Sequence, residues 1–130
     1  MDAPAPDAAT QLGLSWTAPG AGQLALHDRG GAPLLTLQCA GGVMTATAPG
    51  LREIASEERF SLGADDQVFI LVAQLGQASG VRAEGTPSQD FLNRLPSANA
   101  VQANYGAQNI GPHIPPSPEQ ARDFVAACRS

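Results

Sequence analysis

The sequence predicts a mainly β fold: an antiparallel sandwich or partly closed barrel of seven or eight short strands with two short helices, the C-terminal one packed on the sheet. Three observations predict it. Glycine (14) and proline (11) approach a fifth of the 130 residues, well above average usage, and cut the chain into short pieces. Apolar residues between those breaks alternate with a period of two. The segments lie close together in sequence, which favours antiparallel pairing over crossover connections.

Leu12, Leu14 and Trp16 alternate with Gly13 and Ser15, the pattern of a half-buried strand. A Pro/Gly turn follows at Thr17–Gly22, and Leu24 and Leu26 alternate again. Asp28–Pro33 reads as a turn, and Leu34–Cys39 as a strand with Leu35, Leu37 and Cys39 on one face. Gly41-Gly42 is a two-residue hairpin signal. Its partner strand, Val43–Ala48, sets Val43, Thr45 and Thr47 opposite to Met44 and Ala46. Leu51–Glu58 is a helical turn or a loop. Arg59–Leu62 is a short strand with Phe60 and Leu62 together. Val68–Leu75 is apolar at successive positions, which predicts a central strand covered on both faces. Gly76–Gly80 turns, and Val81–Glu84 is a short extended piece. Thr86-Pro87-Ser88-Gln89 predicts a helix capped by Thr86, with Phe91, Leu92 and Leu95 on its apolar side. Ala100–Tyr105 is a strand with Val101, Ala103 and Tyr105 on one face. Gly106–Pro116 reads as a long Gly/Pro loop. Ser117-Pro118-Glu119-Gln120 starts the last helix, whose Ala121, Phe124, Val125 and Cys128 form an i, i+3, i+4, i+7 stripe. Residues 1–10 read as a flexible tail and residues 11–130 as one β-rich domain.

A hydrophobic content of 43% is enough for a core, yet aromatics are only 5%, so that core is aliphatic. The net charge is −5, there is no lysine, and the arginines are scattered. Phosphate binding needs a clustered basic surface, so nucleic acid is excluded as a partner. No apolar run approaches the ~20 residues that span a bilayer as a helix. The opening residues have neither a basic start nor an apolar stretch, so they do not read as a signal peptide. Ala3–Ala9 reads as the lead of a mature exported or lipid-tethered protein, or as the ordinary N-terminus of a cytosolic one.

Cys39 and Cys128 are too far apart for a Cys-x-x-C site. Each falls on the apolar side of its element, so both point to the core. A disulfide between them would pin the last helix to the sheet and place the chain in an oxidising compartment. Two buried free thiols are the alternative.

A strand ending in Cys39, the Gly41-Gly42 turn and a terminal helix reading Pro-Glu-Gln-Ala-Arg-Asp-Phe-Val-Ala-Ala-Cys-Arg together resemble small exported two-cysteine β-rich proteins of bacterial envelopes, inhibitor-like or accessory modules among them. The resemblance runs from Trp16 to Arg129 in pattern. It implies the disulfide and a periplasmic or secreted address, and it brings no catalytic motif.

No G-x-S-x-G, P-loop or H-E-x-x-H motif is present. His27, beside Asp28, reads as an exposed turn histidine, and Asp65-Asp66 as a solvated acidic turn. A hydrolase or metal enzyme would need His27 or His113 to converge with such carboxylates. No cofactor is implied. Trp16 reads as core. The candidate binding segment is 104–113, where Asn104, Tyr105, Gln108, Asn109 and His113 bring an aromatic, amides and an imidazole onto one expected loop. The expectation is a non-enzymatic exported module that binds a protein or glycan of the envelope through that loop. A structural subunit of a larger envelope complex is the alternative, ahead of the histidine enzyme.

Overall fold

The computed structural model describes residues 14–76 and 80–129. Its strands are β1 (Ser15–Thr17), β2 (Gln23–His27), β3 (Pro33–Ala40), β4 (Val43–Ala48), β5 (Arg59–Ala64), β6 (Gln67–Gln74), β7 (Val81–Gly85), β8 (Val101–Tyr105) and β9 (Gln108–His113). Helix α1 spans Gln89–Arg94, runs on into a 3-10 turn at Leu95–Ser97, and is followed after β9 by α2 at Pro118–Cys128. The expected tail at 1–10, Leu12 and the middle of the Gly76–Gly80 turn lie outside the described residues.

All nine strands join one antiparallel sheet in the order β1-β2-β3-β4-β7-β6-β5-β8-β9, curled into a half-barrel with α2 against it. Two runs of neighbouring strands, β1 to β4 and β5 to β7, are joined by the β4–β7 pair, in which Ala46 faces Ala83. Gly41 and Gly42 both have positive φ, 60° and 79°, as a two-residue turn between β3 and β4 requires.

The inner face of the sheet is the core. Leu24, Leu26, Leu35, Leu37, Met44, Phe60, Leu62, Leu71, Ala83 and Tyr105 are buried there with Phe91 and Leu92 of α1 and Phe124 and Val125 of α2. Helix α1 lies on β5 and β6, where the Phe91 and Phe69 rings meet edge-on at 4.8 Å. Helix α2 lies on β2, β3 and the 3-10 turn. Its start follows the sequence reading: Ser117 Oγ accepts from Gln120 N–H, and Gln120 Oε1 accepts from Ser117 N–H. Helix α1 starts later than expected. Ser88, not Thr86, is its cap and accepts from Phe91 N–H at 3.2 Å. A serine two residues further on offers the same hydroxyl with extended backbone angles, and Pro87 then precedes the helix.

Three further expectations change. The described residues form nine strands, because the supposed loop after Tyr105 is a strand. The β6 strand is not covered on both faces: Val68, Ile70 and Val72 are 53%, 51% and 58% exposed. Two short helices cover one face of the sheet, and the other face meets solvent. The turn acid Asp65 is not solvated either; its side chain is 3% exposed.

The edges of the half-barrel are tied together. Trp16, on edge strand β1, donates its indole N–H to the Ile114 carbonyl just beyond edge strand β9 at 2.7 Å. Gln120 Nε2 of α2 donates to the Trp16 carbonyl. Cys39 of β3 and Cys128 of α2 are disulfide-bonded, both almost fully buried. Beside them Cys39 N–H donates to the Gly22 carbonyl, and Gly22 has φ +70° with a position where a Cβ would run into the Cys39 carbonyl, so no side chain fits there.

The bridge closes a loop of 89 residues, worth about 4–5 kcal/mol in the chain-entropy description. That exceeds the roughly 1.5–3 kcal/mol from burying any one large side chain of α2. Replacing both cysteines by alanine is expected to lower unfolding free energy by about 4 kcal/mol, with reductant no longer shifting the urea midpoint. A midpoint in the wild type that ignores reductant counts against the bond.

Candidate functional site

The 104–113 segment is a β-hairpin rather than a loop. Tyr105 pairs with Gln108 and Asn104 with Asn109 across a turn at Gly106-Ala107. Proline is tolerated in β9 because an edge strand has one unpaired side; the Gly111–Pro112 bond is cis. The five candidate residues separate. Tyr105 points inward and is fully buried. Its hydroxyl accepts from Ile54 N–H at 3.0 Å and lies within donating distance of the Ile54 and Glu57 carbonyls, at 3.1 and 2.9 Å. Gln108 accepts from Arg52 N–H and donates to the Arg52 carbonyl, at 2.8 and 2.7 Å. These two residues therefore moor the irregular 51–58 segment to the hairpin, and Glu53 in turn binds Gly76 N–H. Asn104 and Asn109 form a cross-strand pair on the outward side. His113 stands at the end of β9 opposite Val101, its Nδ1 buried with no hydrogen-bond partner among the described residues.

The remaining polar candidates have local partners. His27 is the last residue of β2, its Nε2 at 3.1 Å from Thr17 Oγ1 and its Nδ1 at 3.3 Å from the Gly31 carbonyl. Its neighbour Asp28 accepts from Gly30 and Ala32 N–H and shapes the turn. Asp65 accepts from Arg94 Nε at 2.6 Å with one oxygen, and from Asn99 and Ala100 N–H with the other. It fastens the start of β8 and the end of α1 to the β5–β6 turn. Among the described residues no group of three or more histidine, cysteine or acidic side chains is placed to hold a metal ion.

The outward face of β5, β6 and β7 was missed in the sequence. Across it the register sets three rows. Glu84, Val72 and Arg59 are level with one another. Ile70, Ser61, Asn104 and Asn109 form the next row. Val68, Gly63 and Gln102 form the third. Towards β4 and β3 the same face continues as Thr45, Gln38 and Gln23 beside Glu84, and Thr47 and Thr36 beside Arg82. It is thus a strip of three exposed β-branched residues between polar margins. A notch beside the strip is lined by Glu57, Glu58, Arg59, Ile70 and Val72. The available signal was the acidic and polar residues around β6: a strand bordered by Arg59, Ser61, Arg82 and Glu84 has polar neighbours on one face.

No helix among the described residues is long and apolar enough to cross a membrane. No protein-family model, curated protein or solved structure matches this chain.

Substituting Tyr105 is expected to act on stability first. Tyr105→Phe removes the hydroxyl anchor and is expected to cost about 1–2 kcal/mol, with faster amide hydrogen exchange over 52–57. Tyr105→Ala is expected to cost about 3–5 kcal/mol. Unchanged exchange in Tyr105→Phe would separate the loop from its anchor. His113 gives a pH signature: burial pushes its pKa below the ordinary 6.5. On acidification the unfolded chain takes up the proton first, so this contribution is complete above pH 6.5 and falls below it. The fall ends once pH passes the lowered folded value. The urea midpoint of His113→Asn, measured from about pH 7.5 to about pH 5, is expected to lose that segment of the profile.

Proposed function

We propose that the chain is a non-enzymatic binding module of an oxidising compartment, periplasmic or secreted, that engages a protein through the outward face of β5–β7. The observation that carries this reading is the exposed Val68, Ile70 and Val72 strip on a central strand of a sheet whose other face is a complete core. Contiguous exposed apolar surface rimmed by polar groups marks interaction sites on soluble proteins. The strip has the anatomy of such a site, with an apolar centre and a margin of Ser61, Asn104, Asn109 and Thr45.

Two of the original candidates, Asn104 and Asn109, belong to this face; Tyr105 and Gln108 support it from behind by holding the hairpin and the 51–58 segment. A protein suits the face better than a glycan. It has no exposed aromatic ring for a sugar to stack on, and its centre offers methyl groups rather than hydrogen bonds. The oxidising address rests on the buried disulfide. The non-enzymatic reading rests on the local engagement of His27, Asp28 and Asp65. Occlusion by a rigid sheet face is the mechanism: a scaffold closed by a covalent bond loses little freedom on docking.

The test is a paired substitution, Ile70→Lys with Val72→Lys. Both positions are half exposed, so the unfolding free energy is expected to change by less than about 1 kcal/mol. Cross-linking in an envelope extract is expected to place partner contacts on 59–74 and 82–109 in the wild type and to lose them in the variant. Contacts that persist in the variant, or that map to the β1 edge, overturn the reading. Loss only on adding free oligosaccharide makes the partner a glycan and overturns it as well.

A further inference from the structure

The charges beside the apolar strip are arranged so that they fit a second copy of themselves. We infer that the outward face of β6 is the two-fold interface of a weak homodimer, an inference that rests on the reading of that face as a binding surface. On the outward side of β5–β7 the charged residues are Arg59 on β5 and Arg82 and Glu84 on β7. Val72 has Arg59 level with it on one side and Glu84 on the other. Gln74, the next outward position of β6, has Arg82 level on the β7 side. On the β5 side the ladder continues past Arg59, with Ala73 N–H donating to the Glu58 carbonyl at 2.7 Å. Beyond β5 the Glu57 carboxylate turns back on its own chain and accepts from Arg59 N–H at 2.9 Å. The order across β6 in the Val72 row is therefore negative, apolar, positive, and crossing β6 inverts the sign.

That antisymmetry is the condition for an isologous contact. A two-fold axis parallel to β6, lying between two facing sheets, exchanges left and right and keeps the level along the strand. Val68, Ile70 and Val72 then fall on their own copies. Arg59 of one protomer falls over Glu84 of the other, a pairing that occurs twice. Facing sheets lie about 10 Å apart, within reach of an arginine and a glutamate extended towards each other, and the usual offset of about 30° between their strands is small over three strands. Within one protomer Arg82 and Glu84 already approach at 3.7 Å, both half exposed. In the dimer this contact extends across the interface, Arg82 and Glu84 of one protomer being followed by Arg59 of the other. An axis perpendicular to β6 at the level of Ile70 would set Arg59 against the Val68 end, and one at the level of Val72 would set Arg59 and Glu84 each against its own copy. One at the level of Ala73 would set Glu84 against Arg82 but carry Val68 and Ile70 past the partner's strip.

The sheet curls away on either side of β6, so contact is confined to about three strands. That places the interface in the weak class, below about 1,200 Å² in total. Self-association is expected in sedimentation velocity between about 10 µM and about 1 mM, and it is expected to weaken as salt is raised because the pairs at the margin are exposed. Arg59→Glu and Glu84→Arg are each expected to weaken the dimer at least about tenfold, since each turns two attractions into two repulsions. An equimolar mixture of the two variants is expected to dimerise. In the mixed pair the carboxylate introduced at position 59 of one chain faces the guanidinium introduced at position 84 of the other, and the two native groups, Arg59 and Glu84, face each other at the symmetric contact. Both variants alter exposed side chains, and their unfolding curves control for the fold. A wild type that stays monomeric at about 1 mM overturns the homodimer and leaves the binding face standing. Partner contacts that survive Ile70→Lys with Val72→Lys overturn the face itself. A dimer indifferent to both charge reversals, or a mixture that stays monomeric, places the interface elsewhere and overturns the inference.

Discussion

A single sheet with helices on one side has one covered face, and the chain depends on keeping those helices in place. Helix α2 is short and contributes only Ala121, Phe124, Val125 and Cys128 to the core. Such a stripe holds a terminal helix weakly unless its end is fixed. The Cys39–Cys128 bond fixes it to β3, at the point where Gly22 and Cys39 bring β2 and β3 into close backbone contact. With α2 in place, Gln120 reaches the Trp16 carbonyl and the Trp16 indole reaches Ile114. One covalent link thus supports the covered face, and the Trp16–Ile114 bond ties edge strand β1 to the chain just beyond edge strand β9.

The same arrangement decides what the outward face must be. Most of it is hydroxyl and amide: Thr36, Gln38, Thr45, Thr47, Ser61 and Asn104 stand there in register. These side chains suit a solvated sheet, where β-branched threonine keeps strand geometry without adding apolar area. Against that background Val68, Ile70 and Val72 depart from the rule locally, at the middle of the sheet. Folded proteins break local consistency most often at functional sites, and this departure is flanked by the opposite charges of Arg59 and Glu84 on either side of Val72.

The hairpin of β8 and β9 links the two faces. Its inward residue Tyr105 meets Phe60, with ring centres 6.4 Å apart, and anchors the 51–58 segment through its hydroxyl. Its outward pair, Asn104 and Asn109, extends the row of Ile70 and Ser61. Residues adjacent in sequence thus take opposite roles because alternate side chains of a strand face opposite ways. A composition read as one polar surface, Asn-Tyr-Gly-Ala-Gln-Asn, is divided by the pleat into a support and a rim.

The mainly β class, the inward sets of β3, β4, β5 and β8, the Gly41-Gly42 turn, the capping box of α2 and the meeting of Cys39 with Cys128 were all legible in the sequence, because each follows from spacing within one element or from two apolar faces. The tertiary structure alone decided three things. Gln108–His113 is a strand because β8 offers it a ladder, a gain from pairing that local glycine and proline content conceals. Asp65 is buried because Arg94 and two backbone amides from far along the chain converge on it. Val68, Ile70 and Val72 are exposed although they are the same residue types as the core, because alternation reports that a strand has two sides, and only the number and placement of the helices determine which side is covered.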